Sequence, residues 1–454
     1  MATPRAWDIL AWMDPPLLAE GRDVALRPAG VPWLRFLFVG AACVLCFCTP
    51  GSMSMVETGG LGAAMLCLAL LPWFWKPTLR VFLQPVMWLV ALWGAWGLIS
   101  MAWTPDPAKG WWELGTLRFT WFVVVLWPAL RYRRHLILAL VLGFLAANVA
   151  QGVLAVIRAG GWTHLDFGAR YPDRNAGWWV HPAVCGYMLV PALGLHLPAA
   201  MFGRGRVAWL ARAGMVVTWA GIFATGTRGA MLAGAALTAA GAAGALAGRW
   251  RASSPRGRRT ILIAAGTAML ASAGVVAGLA SSDTHSGRRL REGVREIAGV
   301  LRDDDVSTFT GARVQFVRWA WDQFAAQPLR GTGVGGYGAT IRESLGQAES
   351  PTGSIPSQAH NTFAHVAATL GLPGVILATI FAAVVIRGGF AGLNGRWSTY
   401  DAGPGWAALG MLAITPFDVV YVNSPPTALL AVLTALCLRP RPRVAPVWPE
   451  RAGY

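Results

Sequence analysis

A histidine and an asparagine stand side by side in "PSQAHNTFAHVAATLGLPG", residues 356–374, where a polar loop gives way to an apolar segment. Because an imidazole titrates near neutral pH, His360 could act as a general base. A polar helix cap or a contact with lipid headgroups is the simpler interpretation of a lone histidine. Asn361 could orient the imidazole or cap the helix that follows. His365 lies five residues on, which places it on another face of that helix, and no His-Glu-x-x-His motif occurs, so no metal site is predicted.

Arginines mark three further places that we predict to lie on the same side of a membrane. "TGTRGA" sets Arg228 in a very short loop between two apolar segments, and "GARVQFVRW" sets Arg313 near the start of a loop helix. "GARYPDRNAGWWVHP" holds Arg170, Arg174 and His181 ahead of another apolar segment. A charge at the membrane face is costly, so we expect Arg228 either to snorkel to the headgroups or to form a fixed anion site. A guanidinium is a rigid fork of donors suited to phosphate, so Arg228 and Arg313 could clamp a diphosphate without a metal ion.

The composition is that of a membrane protein. Of 454 residues, 55% are hydrophobic and only 13% are charged, which is too apolar for a soluble domain of this length. Apolar runs of about 17 to 25 residues, long enough to cross a bilayer as a helix, recur along the chain. We therefore predict an all-α polytopic membrane protein with about twelve transmembrane helices. The predicted spans are 31–50, 59–75, 81–103, 114–130, 136–157, 183–201, 207–224, 230–248, 261–280, 362–386, 402–418 and 425–438.

The distribution of basic residues orients these spans. Arginine and lysine concentrate in alternate loops, which by the positive-inside rule places both termini and those loops in the cytoplasm. The same rule explains the net charge of +17, so no nucleic-acid partner is expected. We predict three regions: nine transmembrane helices in 1–280, a long outer loop that carries the catalytic residues in 281–361, and three helices with a cytoplasmic tail in 362–454. Apolar residues at helical spacing predict that part of the outer loop is helical.

Two short motifs carry no chemistry in this interpretation. The run "GTGVGGYG" at 331–338 matches G-x-G-x-x-G, but it follows an amphipathic helix and lies outside the cytoplasm, so a tight or flexible turn is favoured over a dinucleotide site. Cys43 and Cys46 spell C-x-x-C inside a predicted membrane helix, where apolar packing is favoured over redox chemistry.

Four motifs in a set order resemble those of a known family. They are "SMAWTPDPAKGWW", "TGTRGAMLAG", "ARVQFVRWAWDQFAAQPLRGTGVGGYG" and "HNTFAHVAATLGLPGVIL", and they span roughly residues 90–385. In this order the chain resembles the O-antigen ligase and Wzy-type polymerase superfamily. The resemblance implies a GT-C-like glycosyltransferase of the bacterial inner membrane with its active site facing the periplasm, which needs no metal or cofactor. Such an enzyme moves a glycan from undecaprenyl diphosphate to an acceptor such as lipid A–core, and it is surrounded by inner membrane lipids.

The resemblance also assigns roles to residues. By the motif match, His360 is the essential loop histidine, and Arg228 and Arg313 bind the diphosphate, although Arg318 lies near enough to Arg313 to compete for that role. Many members carry an Asn-Pro-Asn-like stretch before the sixth span, where this chain has "VHPAVCGY". Whether His181 contacts substrate there is left open.

Several functions remain open at this point. The first is an O-antigen ligase, which attaches a finished polymer to lipid A–core. The second is a polymerase of O-antigen or exopolysaccharide with the same apparatus, and the third is a ligase that transfers glycan to protein. A lipid-linked glycan transporter belongs to another class, but transporters place their charges near the bilayer midplane, whereas the distinctive polar residues here gather on one face.

Overall fold

The structure is a computed structural model, and it describes most of the chain. The described residues are 32–70, 78–166, 170–171, 174–179, 181–254, 257–259, 274, 278, 281–282, 285–346, 350, 353, 355–391, 393 and 398–438.

Within this part of the chain the regular structure is helical throughout, without β-strands. The α-helices are α1 (Pro32–Cys48), α2 (Met53–Ala69), α3 (Pro85–Ser100), α4 (Pro107–Leu114), α5 (Thr120–Leu126), α6 (Arg133–Ala159), α7 (Pro182–Phe202), α8 (Gly205–Ala224), α9 (Arg228–Ala252), α10 (His285–Asp303), α11 (Phe309–Ala326), α12 (Tyr337–Leu345), α13 (Thr362–Phe390), α14 (Gly403–Ile414) and α15 (Ser424–Cys437).

The helices agree with the predicted membrane class and refine the predicted spans. Apolar helices overlap the predicted spans except the ninth, 261–280, which lies almost wholly outside the described residues. Five of the described helical stretches are long and apolar enough to cross a membrane by length and composition, and five shorter apolar helices accompany them. The protein is thus an all-α membrane protein, while the count of twelve spans stays a prediction. The fourth predicted span is not one α-helix, because the short helix α5 is flanked by 3₁₀ turns at Gly115–Phe119 and Trp127–Tyr132.

Helix α7 forms the centre of the bundle. Nearly all of its side chains are buried, and α8, α9 and α14 pack around it. Small residues allow this close packing: a Cβ at Gly194 would lie 2.4 Å from the carbonyl oxygen of Trp406 in α14. A continuous apolar core on all sides of a helix is typical of a helix at the centre of a large bundle.

Helix α13 is kinked, and the glycine-rich run fills the kink. Gly371 has φ +63°, and a Cβ there would lie 2.7 Å from the carbonyl of Leu329. Pro373 follows within the helix, so the regular hydrogen-bond ladder is interrupted here. The amides of Thr332 and Gly333 donate to carbonyls of α13 across the gap, at 2.8 and 2.9 Å. The glycine-rich run is therefore a structural turn whose amides are already used.

The segments that carry the candidate residues meet at one end of the bundle. Helix α11 packs along α13, and α10 packs against α11 and the start of α9. The chain between α14 and α15, residues 415–423, lies against the start of α13. These contacts bring loop residues far apart in sequence to a common place.

Candidate active site

His360 sits in a rigidly held turn at the start of α13. Its φ is +50°, a left-handed conformation that is sparsely populated by residues other than glycine. Asn361 is the N-cap of the helix, and its side chain accepts a hydrogen bond from the amide of Ala364 at 3.0 Å. Thr362 anchors the turn from the other side: its amide donates to the carbonyl of Thr415 at 2.8 Å. Asn361 therefore caps the helix, which is one of the two roles the sequence suggested.

A buried carboxylate faces His360. The Nδ1 atom of His360 lies 3.5 Å from Oδ1 of Asp418, whose side chain is 11% exposed. This contact is longer than a well-formed hydrogen bond, and the same Oδ1 accepts from the amide of Val419 at 2.9 Å. Thr362 fixes the approach, because its hydroxyl donates to the carbonyl of Asp418 at 2.7 Å. The His360 ring also stacks on Phe316 of α11, with ring centroids 5.9 Å apart. A carboxylate at Nδ1 leaves Nε2 as the nitrogen that can take a proton.

Arg313 faces the same region without a carboxylate partner. Its guanidinium lies 3.4 Å from the hydroxyl of Tyr187 and 4.7 Å from the ring centre of Phe309. Among the described residues no carboxylate lies within ion-pair distance of it. Arg318, the alternative in the sequence, is paired instead with Asp304 at 2.6 Å. Of the two arginines, Arg313 is therefore the one placed to meet an external anion.

Arg228 is the first residue of α9, and its guanidinium is held by carboxylates. It lies 2.7 Å from Glu296 and 3.2 Å from Glu292 of α10, and it donates to the carbonyl of Arg289 at 2.8 Å. Burial alone would raise the pKa of Glu296, but hydrogen bonds from Arg228 and Thr310 outweigh it and lower that pKa. Arg228 is thus held in ion pairs that link the start of α9 to α10.

The segment before α7 contributes His181 and Arg170. His181 is the N-cap of α7, where its Nδ1 accepts from the amide of Ala183 at 3.0 Å. Burial lowers the pKa of His181, the charge of Arg174 lowers it further, and Asp418 opposes this in part. Arg170 is exposed and lies 5.9 Å from the ring of Tyr171.

Arg174, which the sequence sets beside Arg170 and His181, is central to this cluster. It donates to the hydroxyl of Thr227 at 3.0 Å and to the carbonyl of Thr225 at 2.8 Å. Burial lowers its pKa, and the charges of Arg289 and Arg313 lower it further. The cluster therefore holds several like charges close enough to feel one another.

The structure brings together most of the predicted residues and adds others. The residues that lie around Asp418 are His360, Asn361, His181 and Arg313. Arg228 lies at the edge of this cluster, where it contacts α10, and Arg170 lies on the exposed rim. Asp418 and Tyr187 were not predicted. The signal for Asp418 was present, since it is an acidic residue at the end of a predicted membrane span, where such residues are usually functional. Within the described residues no cluster of histidine, cysteine and carboxylates has the makings of a metal site.

An apolar groove reaches the back of the His360 turn from within the membrane region. It lies between α3, α5, α13, α14 and α15, and Glu113 at the end of α4 also lines it. Its lining runs along α13 from Thr362, two residues after His360, to Ile386, which is about 36 Å at the rise of an α-helix. The groove could hold an alkyl or isoprenoid chain whose polar end reaches the membrane surface.

The comparison with known families agrees with these observations. The model of the family described as O-antigen ligase (Wzy_C) matches residues 213–379, a little over a third of the chain. This segment includes Arg228, Arg313 and His360, whereas His181 and Asp418 lie outside it. A search of curated proteins found no match. The match confirms the resemblance seen in the sequence: residues 213–379 of this chain are similar to the O-antigen ligase family.

Proposed function

We propose that this protein transfers O-antigen polysaccharide from undecaprenyl diphosphate to a sugar hydroxyl of lipid A–core on the periplasmic side of the bacterial inner membrane. The family match supports a ligase or polymerase in general. The observation that carries the finer proposal is the His360–Asp418 pair, 3.5 Å apart, in the same cluster as Arg313, which has no carboxylate partner among the described residues.

His360 acts as the general base. Its Nε2 takes the proton of the acceptor hydroxyl as the oxygen attacks the anomeric carbon of the donor. The new bond is the glycosidic C–O bond, and the bond that breaks joins the anomeric carbon to the diphosphate oxygen. Asp418 at Nδ1 stabilises the imidazolium that forms and fixes the ring in the tautomer that accepts at Nε2.

The arginines stabilise the leaving group. Negative charge grows on the diphosphate as the C–O bond breaks, and Arg313 can meet it without first giving up a carboxylate. Arg228 contributes through its contact with Glu292, which is the longer of its two ion pairs and lies on a side chain that is 48% exposed. A phosphate oxygen can replace Glu292 there while Glu296 keeps its place. These cations take the part that a metal ion plays in other glycosyltransferases.

The remaining assignments follow from position. His181 and Arg170 flank the cluster, and they contact the diphosphate or the first sugar. The apolar groove behind the His360 turn favours a donor with a lipid tail over a soluble sugar nucleotide. The charge asymmetry of the loops favours a periplasmic site, because the cluster lies away from the basic cytoplasmic loops.

The base is tested with purified protein in lipid nanodiscs, a lipid-linked glycan donor and a lipid A–core acceptor. His360→Asn is the sharpest variant, because asparagine tolerates the left-handed conformation that His360 adopts. We expect it to lower kcat about 10²- to 10⁴-fold. His164→Asn makes the same change at a histidine in the short 3₁₀ turn Thr163–Leu165, and should leave kcat unchanged. Near wild-type transfer by His360→Asn would show that His360 is not the base.

The acceptor is tested in a strain that lacks the gene. A lipopolysaccharide gel that loses the whole ladder, with intact core and polymer stranded on undecaprenyl diphosphate, supports the ligase. Core that carries a single repeat unit indicates a polymerase. An unchanged ladder rejects both O-antigen functions and points to exopolysaccharide or protein acceptors.

A further inference from the structure

A second histidine and a glutamate form a buried pair beneath the His360 turn. Nε2 of His365 in α13 lies 3.5 Å from Oε1 of Glu113 in α4, and the two side chains are 0% and 1% exposed. The other oxygen of Glu113 accepts from the amide of Gly335 in the glycine-rich run, at 3.3 Å. Two ionisable groups are thus withdrawn from water at a point where three separate segments meet.

The second nitrogen of His365 points toward the turn. The amide of Ala359, the residue directly before His360, donates to Nδ1 of His365 at 3.4 Å. Because an amide can only donate, Nδ1 carries no proton, and the ring proton of the neutral histidine sits on Nε2, toward Glu113. One imidazole therefore links the carboxylate of Glu113 to the backbone next to His360.

A contribution to folding stability does not by itself explain why Glu113 and His365 are buried together. Withdrawing a carboxylate from water costs several kcal/mol, and buried pairs are often no more stabilising than apolar residues of the same volume. The pair is also enclosed by aromatic rings: Tyr337 meets the His365 ring edge-on at 5.4 Å, and Tyr421 lies at 6.1 Å. Among the described residues, Oε1 of Glu113 and Nε2 of His365 have no hydrogen-bond partner, and they do not form a hydrogen bond with each other at 3.5 Å. Their contact is therefore one between an imidazole and a carboxylate at ion-pair distance.

The turn needs support on both sides of His360. Thr362 and the Asn361 cap hold the residues that follow it, through contacts to Thr415, Asp418 and Ala364. On the preceding side, the contact from the amide of Ala359 to His365 is the corresponding support. A left-handed residue persists only where its surroundings hold it on each side.

We propose that Glu113 and His365 are positioning residues for the glycosyl transfer: they fix the backbone at Ala359 and so aim the His360 imidazole. This inference rests on the proposed role of His360 as the base. Neither residue touches the reacting atoms. Through this pair, α4 is linked to the glycine-rich run and to the turn that holds His360.

Three single substitutions test the proposal with the full-length protein. The oxygen of His365→Asn replaces Nδ1 and can still accept from Ala359, whereas the amide of His365→Gln lies near the position of Nε2 and leaves Ala359 without its acceptor. We expect His365→Gln to lower kcat about 100-fold, since a displacement of about 1 Å at a reacting group has that effect. His365→Asn should retain several-fold more activity, with KM for the donor within about twofold of wild type in both variants.

Glu113→Gln gives an independent measurement. It is close to isosteric and keeps an acceptor for Gly335, so folding should be preserved even if the His365 variants are unstable. We expect a loss of about tenfold in kcat with KM unchanged, because the ring of His365 loses its charged partner. Thermal unfolding in the same nanodiscs accompanies each assay. A change of kcat that follows the melting temperature across all variants would indicate a merely structural role and overturn the proposal.

Three further outcomes separate this inference from the proposed function. If His360→Asn abolishes transfer while His365→Gln and Glu113→Gln leave kcat unchanged, His360 is the base and the positioning role is wrong. If His365→Asn is no better than His365→Gln, the contact to Ala359 is not what matters and the proposal is likewise wrong. If His360→Asn is fully active, the base assignment itself fails.

Discussion

Removing the charge of Asp418 is the most direct test of how the site works. In Asp418→Asn the side chain keeps its size and its acceptor for Val419, but His360 loses a carboxylate 3.5 Å away. Two unit charges at that distance interact by about 5 kcal/mol at an effective dielectric constant of about 20. His360 is 28% exposed, so solvent screens part of this energy. We take about half of this interaction energy, or about 2 to 3 kcal/mol, as the transition-state stabilisation that Asp418→Asn removes. This energy corresponds to a loss of roughly 30- to 200-fold in kcat.

The assay is single-turnover transfer from a lipid-linked donor, with the acceptor saturating so that the chemical step is observed. Asp401→Asn is the matched control. Asp401 comes just before α14, whereas Asp418 comes just after it, and the carboxylate of Asp401 accepts a hydrogen bond from Ser398. Asn423→Ala measures separately the loss of the amide that lies 3.4 Å from Asp418. If Asp418→Asn keeps kcat within twofold of wild type while His360→Asn is inactive, the carboxylate does not stabilise the imidazolium and the electrostatic argument is refuted.

Three other predictions follow from single features of the structure. Inorganic diphosphate at saturating concentration should raise the melting temperature of the wild type and of Arg318→Ala by several degrees. It should not raise the melting temperature of Arg313→Ala. Equal shifts in all three proteins would exclude Arg313 as the anion site. The fold lowers the pKa of Glu296, so the ion pair of Glu296 with Arg228 stabilises α10 at pH values above the unfolded pKa of about 4.3. This stabilisation is lost as the pH falls through the folded pKa, and an acid protease should then cleave α10 in the wild type. In Glu296→Gln this acid-dependent cleavage step should be absent. Gly371→Ala should lower the free energy of unfolding by about 2 kcal/mol or more, because Gly371 has a positive φ and a carbonyl lies close to it. Gly152→Ala, where the added methyl group meets open space, should be neutral or slightly stabilising. Thermal unfolding of both variants measures these differences.

The membrane class was predictable because a bilayer leaves few choices. Apolar runs of sufficient length must be helices, and the helices α6, α7, α8, α9 and α13 agree with predicted spans within a few residues. Helix type and integrity were less predictable. The apolar run 114–130 reads as one span, but Pro128 and the short 3₁₀ turns on either side of α5 divide it. Hydropathy measures composition, and composition does not reveal where the backbone ladder breaks.

The site was predictable to the extent that residue type and position alone indicate chemistry. His360, Arg228 and Arg313 stand out because they lie in short loops or at helix starts on the predicted outer side, within motifs that resemble those of a known family. Their partners could not be predicted, since Asp418 is 58 positions from His360, and Glu113 is 252 positions from His365. The spacing of His360 and His365 excluded a shared metal, but it did not show that the second histidine supports the first from the opposite side of the turn.

The distribution of carboxylates around the cluster explains why it should attract a diphosphate. Asp418 faces His360, and Glu292 and Glu296 are both taken up by Arg228. Among the described residues, Arg313 has no carboxylate partner and Arg174 donates to neutral oxygens. Burial lowers the pKa of Arg174, and the charges of Arg289 and Arg313 lower it further. Holding like charges together is unfavourable, and a fold of this kind relieves that repulsion when a dianion enters. The binding of the donor diphosphate would then be driven by electrostatic strain already present in the protein, and departure of undecaprenyl diphosphate would restore it.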